Sequence, residues 1–466
     1  MNNLYNVRPV ILCGGIGSRL WPISSQNYPK QFIEFKNNKS LFEITLKRVV
    51  KIKNALKPTI VTNINYKFIV EKILKKADIQ ANLLLEPIGK GTTAAFYLSS
   101  KLAEENELNL YLPSDHYIDD EKLFLQILNC SMKNYYKDNW ITYGIQPTFP
   151  HDGFGYIETK KSLKKIKKHE FSEVKSFTEK PSVIKAKKML KNKNYFWNSG
   201  IFLATKELIQ KTIKLNEPDI AKICDIVWEK KIKNNNYFIF ENKLYNNIRT
   251  ETIDYTLMKS SNAISMWKLN VGWNDIGSWD NFFKSYKPQN NKGKVFNIGG
   301  SNNYIYPTSK IMATIDVNDL IIIDSPDSLL ISKKGSAEKI KSLVKKINKK
   351  NESNIKLVFK PWGFYEILLD SEVTKVKRLN IYPDTRLSYQ YHNFRNEHWV
   401  IISGSAEIKL NGKIKKLEQN ENIYIPQKAK HYIKNISKQN LILIEIQTGT
   451  YFGEDDIIRI DDPFKR

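Results

Sequence analysis

The chain has 466 residues, of which 41% are hydrophobic, and a formal net charge of +26. It is too long for one average domain, so we expect two or three domains. Its three cysteines, Cys13, Cys130 and Cys224, are odd in number and widely spaced, which argues against a disulfide framework and favours the cytoplasm. No apolar run approaches the roughly 20 residues that cross a bilayer, so we expect no membrane association.

The positive charge does not single out a nucleic-acid partner. Lysines are spread over many segments, such as 160–168 and 345–346, often beside asparagine and isoleucine. A nucleic-acid interface would concentrate them in one patch with interleaved aromatic residues. The distribution therefore predicts a solvated surface.

The first part of the chain alternates short apolar runs with helical patterns. The runs are Val10–Leu12, Thr59–Val61, Asn109–Leu112 and Trp140–Tyr143. This rhythm predicts an α/β domain with a mostly parallel sheet and helices on its faces. In such sheets, ligands bind beyond the carboxyl ends of the strands.

A glycine-rich segment follows the first run directly. Residues 14–22 read Gly-Gly-Ile-Gly-Ser-Arg-Leu-Trp-Pro, and residues 29–32 read Pro-Lys-Gln-Phe. The glycines allow backbone N–H groups to approach phosphate oxygens, and Arg19 and Lys30 would neutralise the charge of those oxygens. Neither the dinucleotide fingerprint nor the P-loop pattern is present. The segment is typical of a nucleotide-binding loop of another kind.

Two carboxylates are candidate metal ligands. Asp115 follows the apolar run that ends at Leu112, and Asp275 lies in the segment 273–279, Trp-Asn-Asp-Ile-Gly-Ser-Trp. As a hard oxygen ligand, Asp115 would suit Mg²⁺, although on spacing alone a helix N-cap explains it equally well. Two carboxylates on one Mg²⁺ would fit phosphoryl transfer, but the sequence does not show that they converge.

After about residue 290 the pattern changes to short β-rich pieces, at 303–306, 311–315 and 320–323, and then to a lysine-rich helix near 337–350. A polar segment without apolar periodicity follows and is typical of a linker. From Phe359 onward, alternating apolar and polar residues predict an all-β domain of about a hundred residues, a usual size for a barrel or sandwich.

This last segment carries a candidate metal site. Gln390 and His392 would point to the same face of a strand, and Glu397 and His431 follow at the spacing of the two cupin motifs. Such a set suits a divalent metal such as zinc. The alternative is that the histidines are only structural.

Taken together, the motifs of the first part resemble those of sugar-1-phosphate nucleotidyltransferases, and Leu-Trp-Pro and Pro-Lys-Gln-Phe resemble mannose-1-phosphate guanylyltransferases in particular. Segments 86–94, 153–158, 178–181 and 197–200 add to the resemblance, although 90–91 read Lys-Gly where most relatives have Arg-Asn. The resemblance implies GTP and mannose 1-phosphate as substrates, and Mg²⁺ bound by Asp115 and Asp275. It implies nucleotide binding by Gly14, Gly15, Gly17, Ser18, Arg19, Glu86, Gly89 and Thr92, and sugar-phosphate binding by Gly155, Glu179, Lys180 and Asn198.

The C-terminal part resembles the type II phosphomannose isomerase domain, notably at 360–363, 395–399 and 453–456. This resemblance implies that mannose 6-phosphate and fructose 6-phosphate are interconverted at a zinc or other divalent metal site. Arg395 and Arg459 are then candidate catalytic cations of this domain. The candidate catalytic residues of the first domain are Arg19, Lys30 and the two aspartates. Phe394 departs from the histidine that many relatives have at its position.

The predicted fold class is α/β: a Rossmann-like nucleotidyltransferase domain at 1–288, a small β-helical extension at 289–350, a linker at 351–358 and an all-β cupin or jelly-roll domain at 359–466. Three functions remain open. The chain is a bifunctional enzyme, or a guanylyltransferase whose silent cupin binds sugar or forms a homodimer, or a nucleotidyltransferase for another base or hexose.

Overall fold

A computed structural model of the chain describes residues 5–15, 17–25, 28–136, 138–160, 163–259, 263–286, 295–307, 311–325, 328–349 and 357–464. The chain forms two compact units, Met1–Lys287 and Pro288–Arg466. Among the helices in these ranges, none has both the length and the apolar character needed to cross a membrane.

The first unit alternates strands with helices. Its strands are β1 Asn6–Cys13, β2 Glu34–Lys36, β3 Lys39–Ser40, β4 Thr59–Asn63, β5 Asn82–Glu86, β6 Glu107–Pro113, β7 His116–Ile118, β8 Asn139–Ile145, β9 Tyr156–Thr159, β10 Lys164–Ile166, β11 His169–Thr178, β12 Tyr195–Thr205, β13 Ile232–Asn234, β14 Tyr237–Ile239, β15 Ala263–Leu269 and β16 Trp273–Asp275. Its helices are α1 Leu41–Val49, α2 Lys67–Ala77, α3 Thr92–Ser100, α4 Glu121–Lys133, α5 Val183–Leu190, α6 Lys206–Asn216, α7 Pro218–Glu229, α8 Asn242–Tyr245, α9 Ile253–Met258 and α10 Trp279–Ser285, with 3₁₀ turns at Ser18–Leu20, Lys30–Phe32 and Ile64–Tyr66.

Most of these strands form one 12-stranded sheet with the order β10-β11-β15-β8-β12-β6-β1-β4-β5-β14-β13, and β9 pairs with β11 and β12. The pairs β6-β1, β1-β4, β4-β5, β5-β14 and β8-β15 are parallel. Strand β12 runs antiparallel between β6 and β8. The predicted mostly parallel sheet is therefore wrong for the sheet as a whole. The alternation of strands and helices along the sequence predicts only the parallel part of the sheet. Strand β12 comes later in the sequence and inserts between β6 and β8.

The central strands are buried on both faces. Ile11 packs into the hydrophobic core on one face of the sheet and Val10 into the core on the other, and Leu110 and Tyr111 divide in the same way. A strand covered on both faces has a continuous apolar run rather than an alternating pattern, which is why these strands could be predicted. Because β1, β5 and β6 are parallel, their carboxyl ends place Gly14, Glu86 and Asp115 along the same edge of the sheet.

The second unit begins with short strands and one helix: β17 Val295–Ile298, β18 Tyr304–Tyr306, β19 Met312–Ile315, β20 Leu320–Asp324, β21 Leu329–Lys333 and α11 Ala337–Lys349. The pairs β17-β19 and β18-β20 are parallel, as successive rungs of a β-helix are, whereas β21 returns antiparallel to β20. Ile321 and Ile323 are buried beneath these rungs.

Two sheets make up the rest of the second unit. Their strands are β22 Leu357–Lys360, β23 Gly363–Asp370, β24 Thr374–Ile381, β25 Tyr389–Tyr391, β26 Arg395–Ser403, β27 Ala406–Leu410, β28 Lys413–Leu417, β29 Asn422–Ile425, β30 His431–Asn435, β31 Leu441–Gly449 and β32 Ile458–Asp461. The sheet orders are β22-β23-β24-β31-β26-β29 and β28-β27-β30-β25-β32, with a common apolar core that includes Trp399 and Ile433. Leu357 and Val358, which we assigned to the linker, belong to β22, and linker residues 351–356 lie outside the described ranges.

Candidate functional site

The glycine-rich segment leaves the carboxyl end of β1. Gly14 and Gly15 are exposed, and Gly17 has a φ of 68°. A Cβ atom on Gly17 would lie 2.4 Å from Cγ of Lys30, so a larger residue would displace that lysine. Arg19 lies half-buried in the following 3₁₀ turn, which begins at Ser18. Ile16 and the side chain of Ser18 are outside the described part of the structure.

Lys30 is the centre of the candidate active site in the first unit. Its Nζ lies 2.8 Å from Oδ2 of Asp115 and 3.4 Å from Oδ1 of Asp275, and it donates to the backbone carbonyl of Ile276 at 3.2 Å. Burial alone would lower the pKa of Lys30, but the two carboxylates raise it above its ordinary value. The two aspartates proposed from sequence as one metal site therefore share a single cation.

Strand pairing brings the two aspartates together. Asp115 lies in the turn between β6 and β7, and Asp275 ends β16, which pairs antiparallel with β7 so that Asp275 faces His116. The N-cap alternative for Asp115 is wrong, because a strand follows it and the next helix, α4, is capped by Asp120. Burial raises the pKa of the Asp115 carboxyl, but the charge of Lys30 outweighs this effect and holds that pKa below its ordinary value.

This pair of carboxylates fits a Mg²⁺ ion chemically. Both groups are hard oxygen donors at the carboxyl edge of a parallel sheet core, and about a fifth to a quarter of each side chain is exposed (22% for Asp115 and 25% for Asp275). They already converge on one positive charge, that of Lys30. A site built this way could hold a cation together with the phosphates that the cation binds.

Glu86 lies buried at the end of β5, beside the glycine-rich segment. Tyr245 donates a hydrogen bond of 2.6 Å to Oε1 of Glu86, and Oε2 lies 3.9 Å from the position of a Cβ on Gly14. Burial raises the pKa of Glu86 to about 7, although the bond from Tyr245 opposes the rise. Gly89 lies in the exposed loop that follows β5. Thr92 begins α3, and its hydroxyl accepts a hydrogen bond of 2.8 Å from the backbone of Ile253.

The residues predicted to bind the sugar phosphate also meet. A Cβ on Gly155 would lie 2.6 Å from Oε2 of Glu179, and the carbonyl of Gly155 accepts a 2.8 Å hydrogen bond from the backbone N–H of Asn198. Lys180 Nζ lies 3.1 Å from Oε1 of Glu179. Three segments that are separate in the sequence thus form one polar cluster.

Asp254, which lies in none of the sequence motifs, belongs to this cluster. Asn198 donates a 2.6 Å hydrogen bond to its Oδ1, and burial together with the charge of Glu179 raises the pKa of Asp254 to about 6. Both Asn198 and Asp254 line a small, largely apolar cavity. In the sequence, Asp254 is an acidic residue in the first turn of α9, a position where a carboxylate is expected for helix stability alone.

The second unit brings together all four predicted metal ligands. Gln390 on β25 faces His431 on β30, His392 follows β25, and Glu397 lies on β26. Ligand atoms of His392, Glu397 and His431 all lie within 4.8 Å of one another, and Gln390 Nε2 is 3.4 Å from His392 Nε2. At most 8% of any of these side chains is exposed.

The histidine and glutamate donor atoms of this group fit a divalent metal, whereas Oε1 of Gln390 accepts a 2.6 Å hydrogen bond from Ser388. Nδ1 of His431 bonds the carbonyl of Ala429 at 2.8 Å, so Nε2 carries the lone pair. That Nε2 is buried, makes no hydrogen bond within the described part of the chain and lies 3.6 Å from Oε2 of Glu397. Burial lowers the pKa of His431, which favours the neutral, metal-binding form. Burial would raise the pKa of Glu397, but a hydrogen bond and the charges of its neighbours lower it.

A cavity rich in charged side chains adjoins the cluster. Arg395 is buried, with Nε 3.4 Å from Oε1 of Glu397, and Arg459 is exposed. Phe394, 51% exposed, is not among the described residues that line the cavity. The cavity is lined by Lys360, Trp362, Tyr365, Lys377, Leu379, Leu387, Ser388, Gln390, Arg395, Glu397, Glu445, Gln447, Glu454, Ile457 and Arg459.

Three of the lining residues, Lys377, Glu445 and Gln447, lie in none of the sequence motifs. Burial and the charge of Glu397 raise the pKa of Glu445 to about 7. The overlooked signal was a polar residue at each of two inward-facing positions, Glu445 and Gln447, of the otherwise apolar strand β31.

Comparison with known families covers almost the entire chain. The family described as "Nucleotidyl transferase" matches residues 8–291, "MannoseP isomerase/GMP-like beta-helix domain" matches 293–347 and "Mannose-6-phosphate isomerase C-terminal" matches 347–462. The chain is 34% identical over 472 residues to a Salmonella montevideo protein named mannose-1-phosphate guanylyltransferase, an alignment that covers 99% of this chain and 100% of that one. It is 32% identical over 469 residues to the alginate biosynthesis protein AlgA of Pseudomonas aeruginosa, with 98% and 97% covered.

Solved structures agree on the fold. A Thermus thermophilus structure titled mannose-1-phosphate geranyltransferase aligns with a TM-score of 0.61 at 22% identity, covering 74% of this chain and 99% of that one. A mannose-6-phosphate isomerase from Helicobacter pylori aligns with a TM-score of 0.50 at 27% identity, covering 58% of this chain and 100% of that one. The predicted fold class is thereby confirmed. The chain belongs to the mannose-1-phosphate guanylyltransferase family, as a nucleotidyltransferase domain followed by a β-helix domain and the C-terminal domain of mannose-6-phosphate isomerases.

Proposed function

We propose that the first unit transfers GMP from GTP to mannose 1-phosphate, giving GDP-mannose and pyrophosphate. The observation that carries this proposal is the meeting of Lys30, Asp115 and Asp275 at the carboxyl edge of the sheet core, next to the glycine-rich segment. Relatives that cover nearly the whole chain and are named mannose-1-phosphate guanylyltransferase support the choice of substrates.

The roles of the residues follow from the charges of the substrates. A phosphate oxygen of mannose 1-phosphate attacks the α-phosphorus of GTP, and the bond to pyrophosphate breaks. No general base is required, because the attacking phosphate is already an anion at neutral pH. The protein has to align two anions that repel each other and to compensate charge on the leaving group. Arg19 and Lys30 supply positive charge, and a Mg²⁺ held by Asp115 and Asp275 would neutralise phosphate oxygens.

We also propose binding roles for the other candidate residues of the first unit. Backbone N–H groups at Gly14, Gly15, Gly17 and Ser18 contact the triphosphate, and Glu86, Gly89 and Thr92 contact the nucleoside. Glu179, Lys180 and Asn198, with the backbone of Gly155, hold the sugar and its phosphate. The close approach of Gly155 to Glu179 and Asn198 supports this second group, since all belong to one polar cluster.

For the second unit we propose isomerisation of mannose 6-phosphate to fructose 6-phosphate. One observation favours it: ligand atoms of His392, Glu397 and His431 converge, with Gln390 next to them, beside a cavity lined by Arg395, Arg459 and two lysines. The cations suit a sugar phosphate, and a bound zinc or similar ion would polarise the oxygens at C1 and C2. The Helicobacter pylori isomerase structure supports the assignment by fold and title.

Two assays on the purified full chain test both proposals. Pyrophosphate release is measured with mannose 1-phosphate and GTP, UTP or dTTP in the presence of Mg²⁺. Isomerase activity is measured with mannose 6-phosphate, with and without Zn²⁺, Co²⁺ or Mn²⁺. We expect GTP to be preferred and isomerisation to depend on added metal.

Each alternative has its own signature. Faster turnover with UTP or dTTP would favour a nucleotidyltransferase of other specificity. Pyrophosphate release without isomerisation at any metal would leave the C-terminal domain as a sugar-binding or dimerising module. A homodimer and a cytoplasmic location remain predictions.

A further inference from the structure

One buried carboxylate of the isomerase cavity has no part in the ligand set. Glu445 lies in the middle of β31, is 5% exposed and lines the cavity. In the sheet it has Lys377 of β24 on one side and Trp399 of β26 on the other. The three side chains therefore lie on the same face, towards the interior.

The hydrogen bonds around Glu445 hold it beside the ligand Glu397. Nε1 of Trp399 lies 3.1 Å from Oε2 of Glu397 and 3.1 Å from Oε1 of Glu445. Nε2 of Gln447 donates to Oε2 of Glu445 at 2.9 Å and to Oε1 of Glu397 at 3.2 Å. Two shared N–H donors thus fix the distance and orientation between the two carboxylates. Nε2 of His392 and Nε2 of His431 lie 3.1 Å and 3.6 Å from the carboxylate oxygens of Glu397. Glu397 therefore belongs to the ligand set, and Glu445 lies next to that set.

The proposed isomerisation needs one such group. A proton must leave C2 and return to C1, and a single positioned carboxylate can carry it in both directions. Glu397 and the two histidines are the proposed metal ligands, and the guanidinium groups of Arg395 and Arg459 offer hydrogen-bond donors but no acceptor. Glu454, the other acidic residue in the described lining, is exposed and accepts a 3.0 Å hydrogen bond from Lys360.

We propose that Glu445 is the catalytic acid–base of the isomerase, an inference that rests on the function proposed for this cavity. Its carboxylate removes the proton from C2 of open-chain mannose 6-phosphate, and the electron pair of the C2–H bond forms the C1–C2 double bond of an enediol, while O1 keeps the π pair of its carbonyl and takes a proton from water. The carboxylic acid then gives its proton to C1, as O2 releases its hydroxyl proton to water and becomes the ketone oxygen. C2 is oxidised and C1 is reduced within the same molecule, so no external oxidant or reductant is needed.

The test compares Glu445→Gln with the wild type, both as full chains loaded with Zn²⁺. We expect kcat for isomerisation to fall by about 10²- to 10⁴-fold, the usual contribution of a general base, with KM changed only a few-fold. In D₂O, entry of deuterium into recovered mannose 6-phosphate at C2 should slow by the same factor. Zinc content and the affinity for 1,5-anhydromannitol 6-phosphate, which cannot isomerise, should both be unchanged.

Two further variants control for loss of structure. Glu366→Gln makes the same chemical change on β23, where Glu366 pairs with Arg378, and it should keep full activity. Glu445→Asp keeps a carboxylate but shortens the side chain, so it should retain zinc and show a smaller loss of kcat than Glu445→Gln. Zinc content and the melting temperature of the second unit report on whether that unit is folded in each variant.

The possible results distinguish failure of the role of Glu445 from failure of the proposed isomerase function. A wild type without isomerase activity at any metal would overturn the proposed isomerase and this role with it. An active wild type with an equally active Glu445→Gln would overturn the role of Glu445 alone. Loss of zinc from Glu445→Gln would also overturn it, because the glutamate would then act by supporting the ligand set.

Discussion

The ammonium group of Lys30 contacts both aspartates of the candidate active site in the first unit. We expect Lys30→Met to lower GDP-mannose formation at least about 100-fold, or about 3 kcal/mol in the barrier, as loss of other positioned charges does. The fold should survive, because both aspartate side chains are partly exposed and Mg²⁺ can compensate their repulsion. GTP-dependent pyrophosphate release and the melting temperature measure the two effects.

The matched control for this prediction is Lys51→Met. Lys51 is an exposed lysine that pairs with Glu121 at 2.7 Å, away from the two aspartates. Its substitution should leave turnover unchanged. Near-normal turnover of Lys30→Met would show that the lysine holds the aspartates without taking part in the reaction.

Glu86 should make the stability of the first unit depend on pH. Burial raises its pKa from an ordinary 4.5 to about 7, so the folded chain binds this proton more tightly than the unfolded chain does. The stabilisation from the neutral form is fully present below about pH 4.5 and is lost as the pH rises through about 7. The shift corresponds to about 3 kcal/mol.

Glu86→Gln removes this ionisation and keeps an acceptor for Tyr245. We therefore expect the melting temperature of the variant, relative to the wild type, to be higher at pH 8 than at pH 5. Glu105→Gln, at an exposed glutamate, should show no such change. A difference between variant and wild type that is the same at both pH values would mean that Glu86 is ionised in the folded chain throughout this range.

At the scale of elements, the glycine-rich segment and the Lys30 turn fit against each other. Gly17 has a φ of 68° and leaves no room for a Cβ beside Lys30. We expect Gly17→Ala to move the lysine away from Asp115 and Asp275 and to lower the rate of GDP-mannose formation more than the melting temperature. Steady-state kinetics with Mg²⁺ and GTP measure the first effect.

Gly412→Ala separates backbone strain from displacement of Lys30. Gly412 has a φ of 86°, but a Cβ there meets no atom within 4 Å. This variant should be strained by about 1 kcal/mol and fully active as a guanylyltransferase. Equal activity of Gly17→Ala and Gly412→Ala would show that the contact between Gly17 and Lys30 does not matter for the reaction.

The strands that could be predicted from the sequence are those whose burial is the same along their whole length. Strands β1, β4, β6 and β8 are buried on both faces, and such strands have continuous apolar runs. The meeting of Asp115 and Asp275 depends instead on β7 and β16, each three residues long, too short for any periodicity. Asp254 could not be recognised from the sequence either, because a carboxylate in the first turn of α9 is expected for helix stability alone. The sequence resemblance named the aspartates, but pairing between distant segments explains why they meet.

In the C-terminal domain, the metal ligands could be predicted from the sequence, whereas residues of the adjoining cavity could not. Gln390, His392, Glu397 and His431 were predicted from spacing, because a strand's alternation is enough to put neighbouring ligands on one face. Glu445 and Lys377 were missed, since they enter the cavity from strands that carry no recognised motif. Their positions follow from the order of the strands in the sheet, which local sequence does not determine.

At the scale of the whole molecule, the two candidate sites lie in separate compact units with separate hydrophobic cores. A change confined to one unit should therefore leave the chemistry of the other intact. We expect His431→Ala to weaken zinc binding more than about 100-fold, because an entire ligand is lost where second-sphere changes alone cost 10- to 100-fold. Isomerase activity should disappear with the metal, while GTP-dependent pyrophosphate release should not change.

The reciprocal variant is Asp275→Asn, which should abolish pyrophosphate release and keep both zinc and isomerase activity. Metal content, measured by atomic emission, keeps the comparison meaningful even if the wild-type isomerase is slow. Tyr432→Phe, on the same strand as His431 but bonded to Glu407, controls for disturbance of β30 and should retain zinc. If His431→Ala lost guanylyltransferase activity as well, with the first unit still folded, the two sites would have to be coupled. The metal of the second unit would then act on the first reaction.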